Sequence, residues 1–408
     1  MTYFPFITIK GFSDSVNLDA FGKLRTSVPF VQFDAKKIAG LVTDSFFIVT
    51  KSLNSASSSF NTNRASTTLY VAAVSGSRNV RQSRKRMYYQ PGKGLVIGKT
   101  FLFGTGSVGV VKRTGYFDDL NGIFLEQSGS DINLVVRSSV TGVPVDTKVS
   151  QSAWNINKFD GSNPLLPVFD PTKSQGLYID LQWSGGGGRI RTGFQVSGGL
   201  ALAHQFLNTG TTPINISNPN LPSRTEIENY SNTSANSIET FTVVVQTDGG
   251  LDPIGSQRSV DRGTQTKSVT SGSFKPILSI KLTSGSQGQV VTPSNYSFFC
   301  TTSDVFKWAV ILNPIYSTVD SPSWQIVSGS NVQYDVSRDG SIVGGYVLDS
   351  GYGSGGSANG SGRITSDVAT TLNYNIGFSV DGISDEIVLA VNPLTTLSIL
   401  GQIGWNEV

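Results

Sequence analysis

The segment FDDLNG, residues 117–122, brings the side-chain oxygens of Asp118, Asp119 and Asn121 close together in sequence. Calcium takes six or more hard oxygen ligands, so this cluster is a candidate calcium site. The spacing of an EF-hand loop is absent. The competing interpretation, which we favour, is a tight turn in which Asn121-Gly122 supplies the left-handed backbone that a connection between two strands needs.

Other acidic residues raise the question of glycoside cleavage, which uses two carboxyl groups in one cleft. Asp118, Glu126 and Asp180 are the candidates, provided that the fold brings them together. Triad chemistry is disfavoured because His204 is the only histidine, and no G-x-S-x-G segment occurs at a strand-to-helix turn. The glycine-rich segment GTGSVG, residues 104–109, precedes a strand-like segment, whereas a dinucleotide site needs a helix there. The sequence therefore predicts no catalytic residues and no cofactor.

The densest charge in the chain lies in RNVRQSRKRMYYQPGKG, residues 78–94. Its first half carries five cations: Arg78, Arg81, Arg84, Lys85 and Arg86. Phosphate pairing, together with stacking on Tyr88 and Tyr89, would suit nucleic acid. A subunit interface also favours arginine and tyrosine, and a solvated strand face is the simplest explanation. We rank interface and solvated face equally, and nucleic acid well below both.

The composition limits the class of protein. Charged residues make up 14% of the 408 residues, against about 25% in ordinary soluble domains, and the net charge is only +3. Such a weak charge requires neither nucleic acid nor an anionic membrane as partner. Cys300 is the only cysteine, so folding in a reducing cytoplasm is expected. We find neither a signal peptide at the N-terminus nor an apolar run long enough to span a membrane.

The pattern of the chain predicts an all-β protein. Short β-branched and aromatic runs alternate with Gly, Asn, Asp, Ser and Pro, which is typical of sandwiches and barrels. The clearest hairpin joins LYIDLQW to RIRTGFQV, with Ile190, Thr192 and Phe194 on one face of the second strand. Breaks in the pattern predict three parts: an arm (residues 1–40), a larger β-sandwich (41–252) and a smaller C-terminal β-domain (253–408). Residues 351–363 are predicted to form a long surface loop.

Several segments in order resemble one known family. They are LDAFGKLRTSVPFVQFD, VRQSRKRMYYQPGK, RTGYFDDLNGIFLEQSG, QSAWNINKFDG, LYIDLQWSGGGGRIRTGF, HQFLN and NPNLPSRTEIEN, with weaker likeness as far as the terminal GWNEV. Together they resemble a broad family of virion structural proteins of tailed bacteriophages and of some large DNA viruses of protists. The resemblance covers nearly the whole chain and is strongest over residues 18–250. Lys23 departs from the family signature, which has arginine there, and the glycine turn after LYIDLQW is longer than usual.

The resemblance implies a non-enzymatic protein of the virus particle: a capsid surface protein, spike, fibre or tail component. Its expected partners are further copies of itself and other virion proteins, without a membrane. The segment RTGYFDDLNGIFLE also resembles lectin-type jelly rolls of the concanavalin kind. This analogy adds an alternative, a lectin-like protein that binds host surface glycans on the virion exterior, with Trp154 and Tyr352 as candidate exposed rings. A glycan depolymerase ranks lower.

The signature segment also predicts an assembly element. It has no regular period, yet it carries apolar groups that must be buried against some surface, either its own sandwich or a neighbouring subunit. Gly22 permits close approach and Pro29 fixes an extended exit. The candidate residues of this docking arm are Leu18, Phe21, Gly22, Lys23, Leu24, Arg25 and Phe30.

Overall fold

The structure is a computed structural model. It describes residues 29–36, 47–184, 188–197, 199–208, 215–231, 234–252, 255–318, 321–355 and 374–408, and the backbone of 364–366. Contacts divide the chain into two compact units, Met1–Asp252 and Pro253–Val408. Both are built from antiparallel strands, which confirms the all-β prediction. The described part contains one helical turn, Gln151–Ala153, and no helix in it is long and apolar enough to cross a membrane.

The described residues of the first unit form fifteen strands. They are β1 (Phe30–Ala35), β2 (Ile48–Leu53), β3 (Ser57–Asn61), β4 (Ser66–Val71), β5 (Ser77–Ser83), β6 (Leu95–Leu102), β7 (Val110–Phe117), β8 (Gly122–Ser128), β9 (Asp131–Ser138), β10 (Val145–Ser150), β11 (Gln175–Gln182), β12 (Arg189–Val196), β13 (Gly199–Leu207), β14 (Ser223–Asn229) and β15 (Asn236–Thr247).

These strands form the two layers of a jelly-roll-like β-sandwich. One sheet has the order β13-β12-β11-β6-β15-β4-β3, with β1 added to β15, and the other has the order β10-β9-β8-β7-β14-β5-β2. Alternate residues of each strand point between the sheets, as for Ile97 of β6, Ile179 of β11, Tyr116 of β7 and Leu125 of β8, which belong to one buried cluster. The residues between them point outward.

The predicted hairpin is present, with Leu177 opposite Phe194 and Leu181 opposite Ile190. Ile190, Thr192 and Phe194 are buried together on one face, as predicted. Strands β1, β3, β5, β10, β13 and β14 had no counterpart among the strands predicted from the sequence. Two of them, β5 (SRNVRQS) and β14 (SRTEIEN), are mostly polar, so they lack the alternation that marks a half-buried strand.

In the second unit, the part of the chain that the structure describes forms eleven strands. They are β16 (Ser256–Asp261), β17 (Lys267–Thr270), β18 (Lys275–Leu282), β19 (Val291–Cys300), β20 (Val305–Tyr316), β21 (Gln325–Ile326), β22 (Val332–Asp335), β23 (Ile342–Ser354), β24 (Ile364–Ser366), β25 (Glu386–Pro393) and β26 (Thr396–Glu407).

Two sheets also make up this unit. One has the order β16-β26-β19-β24, with β17 on β26, and the other has the order β21-β22-β18-β25-β20-β23. Their facing sides meet through aromatic rings, with Tyr296 and Phe298 of β19 against Trp308 of β20 at centroid distances of 5.5 and 6.0 Å. One expectation is wrong here: residues 351–354, predicted to start a loop, continue β23. Gly351 lies against a large ring, since a Cβ on it would meet Trp308 Cζ2 at 2.6 Å.

Candidate functional site

The outer face of the seven-stranded sheet holds the largest set of buried charges in the described residues of the first unit. Neighbouring strands β8, β7, β14 and β5 place there Glu126, Arg113, Arg224, Glu226 and Arg78, because the residues adjacent to them in sequence point into the sandwich. We call this set of five residues the charged face. Its members are brought together from four strands across more than a hundred residues of sequence.

Arg113 joins two glutamates on this face. Its Nε donates to Glu126 Oε2 at 2.8 Å and its Nη1 donates to Glu226 Oε1 at 2.7 Å. Glu226 Oε2 also accepts from Arg224 Nη2 at 2.6 Å and from Arg78 Nη2 at 3.1 Å. Nζ of Lys148, on β10, donates to the other carboxylate oxygen of Glu126, Oε1, at 2.7 Å. Each of the two glutamates is therefore held by at least two cations.

Burial strengthens these pairs, because their charges are removed from the screening of water. Both glutamates and Arg224 are at most 1% exposed. Burial alone would oppose the ionisation of Glu226, but the guanidinium groups of Arg224, Arg113 and Arg78 outweigh it and hold the pKa of Glu226 well below its usual range. A general acid needs the protonated carboxyl, so Glu226 does not fit that role.

Aromatic rings lie beneath the charges. Phe117, Phe124 and Val135 form a small buried cluster on the same outer face. The guanidinium carbon of Arg224 lies 5.4 Å from the centroid of Phe117, and that of Arg137 lies 5.1 Å from the centroid of Phe124. Cations over ring faces add to the ion pairs where both are removed from water. The charged face thus covers apolar surface that would otherwise meet solvent.

The three glycosidase candidates do not converge. Glu126 is on the outer face of the seven-stranded sheet, whereas Asp180 is on the outer face of the opposite sheet and pairs with Arg191. Asp118 is in the turn between β7 and β8, where Arg86 Nη2 lies 2.8 Å from its Oδ2. The sandwich core separates Glu126 from Asp180, so they cannot act on one bond.

The candidate calcium ligands are engaged by the protein itself. Asp118 Oδ1 accepts from the backbone N–H groups of Leu120 and Asn121 at 2.8 Å, which is a turn geometry. Asp119 pairs with Arg224 at 2.9 Å, and Asn121 Oδ1 accepts from the backbone N–H of Ser217 at 2.9 Å. In the part of the chain that the structure describes, no three His, Cys, Asp or Glu side chains gather as metal ligands. The local geometry corresponds to the turn interpretation, with Gly122 at φ +146°.

The five cations of the basic stretch do not share a surface, which corrects their prediction as one interface or one solvated face. Arg78 points outward into the charged face, whereas Arg81, at an odd position of the same strand, points into the sandwich and donates to Thr50 Oγ1 at 2.8 Å. Arg86 is 7% exposed and bonds to Asp118 and to the carbonyl of Asn220. Arg84 and Lys85 follow β5 and are half-buried.

The two candidate glycan-binding rings differ in position. Trp154 is 2% exposed and stacks on Phe194 at 5.7 Å in the core of the sandwich, so the prediction is wrong for this ring. Tyr352 is 76% exposed on β23 and is opposite Lys307. His204 also has a structural contact, because its Nδ1 accepts from the backbone N–H of Asn155 at 3.2 Å.

Of the docking arm, only Phe30 falls within the described residues; Leu18, Phe21, Gly22, Lys23, Leu24 and Arg25 lie outside them. Phe30 is the first residue of β1 and is opposite Thr247 of β15. The side chains of Phe33 and Ala35 on β1 are buried in the core, and that of Val31 remains 47% exposed. The end of the arm is therefore anchored to the sandwich by a strand.

Sequence reasoning missed the charged face as a unit. Arg113, Arg224 and Glu226 carry no motif, and their strands come from distant parts of the chain. The available signal was parity: in SRTEIEN the residues Arg224, Glu226 and Glu228 alternate with Thr225 and Ile227. That pattern places charges on one face of a strand, although it does not show which strands are neighbours.

Comparisons with known proteins give fold-level likeness alone. No protein-family model matches the chain, and no curated protein matches its sequence. Similar solved structures include a protein of unknown function from Shewanella oneidensis MR-1, at 7% identity and TM-score 0.38, covering 56% of this chain and 92% of that one. Others are a legume lectin-like domain from Entamoeba histolytica (8%, TM-score 0.32, 52% and 96%) and a glycosyl hydrolase family protein from Mycobacterium fortuitum (8%, TM-score 0.36, 53% and 99%). At these values the neighbours assign no activity to this chain.

Proposed function

We propose that this chain is a non-enzymatic structural protein of a virus particle, which assembles with copies of itself and with other virion proteins. The observation that carries the proposal is the ordered resemblance of segments along nearly the whole chain, beginning with LDAFGKLRTSVPFVQFD. What the resemblance implies is a location on or in the particle, as capsid surface protein, spike, fibre or tail component, and no single residue selects among these positions.

The charged face supports the non-enzymatic part of the proposal. Both glutamates are buried and each is paired with at least two cations, which leaves no open position for a substrate. The pKa of Glu226 is held well below its usual range by Arg224, Arg113 and Arg78, so Glu226 has no proton to give at neutral pH. Glu126 and Asp180 are on opposite sides of the sandwich. The network stabilises the sheet, since breaking a buried pair leaves an uncompensated charge.

The composition and the thiol support assembly after folding in a host cytoplasm. Few charges and many small polar residues permit close packing between identical subunits. Cys300 is buried, and burial raises its pKa to about 11, so it remains a protonated and unreactive thiol in a reducing compartment.

The test combines the isolated chain with the particle. Sedimentation velocity at micromolar concentration is expected to show oligomers, and gold-labelled antibodies against the chain are expected to decorate purified particles. The proposal would be overturned if the chain sedimented as a clean monomer and the antibodies labelled neither intact nor disrupted particles.

The arm is the proposed assembly element, with Phe30 at its anchored end. Deleting residues 1–28 leaves β1 intact, including the buried Phe33. We expect the deleted chain to keep the thermal transition of its sandwich and to lose incorporation into particles. Unfolding of the sandwich would instead assign the arm to the subunit's own core.

A lectin-like role on the virion exterior is the second candidate, and the exposure of Tyr352 beside Lys307 favours it. Exposed rings beside polar groups stack on sugar faces. A glycan array probed with the wild-type chain and with Tyr352→Ala tests this role. Hits that the substitution abolishes would support it, whereas an array without hits for correctly folded protein would remove it.

A further inference from the structure

We infer that residues 155–157, which we call the clip, cover the edge of β13 only while His204 is neutral, so that acid releases them. The inference goes beyond the proposed function and does not depend on it. Strand β13 ends the eight-stranded sheet, and its strand partner among the described residues is β12. An open strand edge binds other strands, so the segment that covers this edge decides whether it is available.

The clip binds this edge much as a short neighbouring strand would. The backbone N–H groups of Ile156 and Asn157 donate to the C=O of Ala203 at 3.1 and 3.0 Å. The side-chain amide of Asn155 binds the next backbone position: its Oδ1 accepts from the N–H of Gln205 and its Nδ2 donates to the C=O of Gln205, each at 2.9 Å. The clip therefore satisfies backbone groups that would otherwise face solvent or another strand.

The clip lies on a bulge of β13. Thr192 of β12 is opposite His204 and Gly193 is opposite Leu202, so Ala203 is the extra residue of the bulge. The C=O of Ala203 accepts both backbone N–H groups of the clip, and the C=O of Leu202 accepts from a side-chain amide of the clip at 2.7 Å. A bulge interrupts regular pairing, so the cover is fitted to this one place on the strand.

His204 holds the first residue of the clip through a hydrogen bond that requires a neutral ring. The backbone N–H of Asn155 donates to His204 Nδ1 at 3.2 Å. A backbone N–H can only donate, so Nδ1 carries the lone pair and the proton of the neutral ring is on Nε2. Both nitrogens of the imidazolium carry hydrogen, so after protonation two donors would face each other and the bond is lost. Protonation of this side chain therefore opposes the closed clip directly.

The surroundings of His204 favour its neutral form. The residue is 7% exposed, and its ring lies edge-on to that of Phe206 with 4.4 Å between the centroids. Burial disfavours the charged form and lowers the pKa of His204 below its ordinary value of 6.5. At neutral pH the ring is therefore uncharged and the clip is closed.

The charged side chains on the elements around the clip are directed away from His204. Within the described residues, those on β12 and β10 lie on the outer faces of the two sheets, and those that follow the clip in sequence are exposed: Arg189, Arg191, Asp146, Lys148, Lys158 and Asp160. Strand β13 itself, GLALAHQFL, contains no Asp, Glu, Lys or Arg. The lowered pKa of His204 has burial as its cause, so no neighbouring charge competes with the change that acid produces.

Acid is expected to open the clip. The ring regains its ordinary pKa of 6.5 when the clip opens, so the open state binds more protons, and the closed state loses stability as the pH falls below this value. Between pH 7 and pH 5 the open population should rise by about fivefold to 25-fold, the larger value applying if the ring stays neutral in the closed state. His204 is the only histidine of the chain, so no other side chain has its ordinary pKa in this interval.

Hydrogen exchange of the full chain, measured by mass spectrometry, tests the inference in a peptic fragment that covers residues 154–159. Protection is the ratio of the chemical exchange rate of these amides at each pH to the measured rate. In the wild type, protection should fall by about fivefold to 25-fold between pH 7 and pH 5. His204→Asn is the matched variant, because its Oδ1 places an acceptor near the position of Nδ1 and does not titrate. Its protection should be equal at both pH values.

A second variant and a reference fragment complete the test. His204→Phe keeps a ring and removes the acceptor, so its clip should already be poorly protected at pH 7. A fragment that contains β8 should keep its protection at both pH values, because the sandwich itself remains folded. The inference is overturned by a wild-type change of less than about twofold, by an equal fall in His204→Asn, by full protection of the clip in His204→Phe, or by loss of protection in β8 together with the clip.

Discussion

Replacing Glu226 by glutamine tests whether the charged face stabilises the sandwich as a network of ion pairs. The substitution keeps the shape of the side chain and removes its charge, which leaves Arg224, at 1% exposure, without its 2.6 Å carboxylate partner. Arg113 and Arg78 lose the same partner. Removing one member of a buried pair costs about 3–5 kcal/mol where the remaining charge is uncompensated. Here Arg224 keeps Asp119 at 2.9 Å and Arg113 keeps Glu126 at 2.8 Å, so we expect a loss at the lower end, about 3 kcal/mol.

For a unit of this size, 1 kcal/mol shifts the melting temperature by about 2–4 °C, so a loss of about 3 kcal/mol in Glu226→Gln is expected to lower it by ~6 to 12 °C. Differential scanning calorimetry of the full chain measures the shift. Arg64→Gln is the control, because Arg64 forms a 2.5 Å pair with Glu239 while being 53% exposed, and such a pair contributes at most about 1 kcal/mol.

The pH dependence provides a second check. The pKa of Glu226 is depressed in the folded state, so its contribution is complete above the ordinary value of 4.5 and is lost as the pH falls below it. The difference between wild type and Glu226→Gln should therefore shrink in acid. A loss under 1 kcal/mol at neutral pH, or a loss equally large at pH 3, would refute the network argument.

Three further predictions concern buried positions. Lys112 donates to the carbonyl of Thr105, and burial lowers its pKa to about 8. The unfolded chain therefore binds more protons between about pH 8 and the ordinary lysine value of 10.5, and wild-type stability should rise over this range. Urea titrations of Lys112→Met should show a flatter pH dependence. Gly115→Ala should prevent folding of the sandwich, as judged by circular dichroism, because a Cβ would lie 2.3 Å from Ile123 O. Gly142→Ala is the control: it lies in open space at φ +90° and should lower the free energy of unfolding by only about 1 kcal/mol. Cys300 should react with a thiol reagent only at the rate of unfolding, and immediate labelling of the native protein would contradict its burial.

The sequence pattern was sufficient for the architecture and insufficient for the site, for the same physical reason. Strands with one apolar face, such as β11 and β12, show a period of two that can be recognised in isolation. Strands β5 and β14 each contain a single apolar residue, Val80 and Ile227. Most of their other inward residues hydrogen-bond within the sandwich, while Arg78, Arg224 and Glu226 form ion pairs on the outer face. They form strands because they pair with neighbouring strands, and that pairing is not visible in their own sequence pattern.

Trp154 illustrates the complementary error. A tryptophan among asparagines and lysines resembles an exposed ring when only its neighbours in sequence are considered. Its burial depends on Phe159 and Phe194, which come from a loop and from β12. Residues whose environment is local, such as Asp118 and Asn121 in their turn, were interpreted correctly from sequence as candidates for a turn. Residues whose environment is assembled from distant strands were not.

The charges of this chain are unevenly distributed. The chain has few charged residues, and several of them are buried in ion pairs on the charged face of the first unit. Charges used in this way stabilise a sheet but do not protect the surface from other strands. Strand β23, which lies at the edge of its sheet, carries no lysine or arginine.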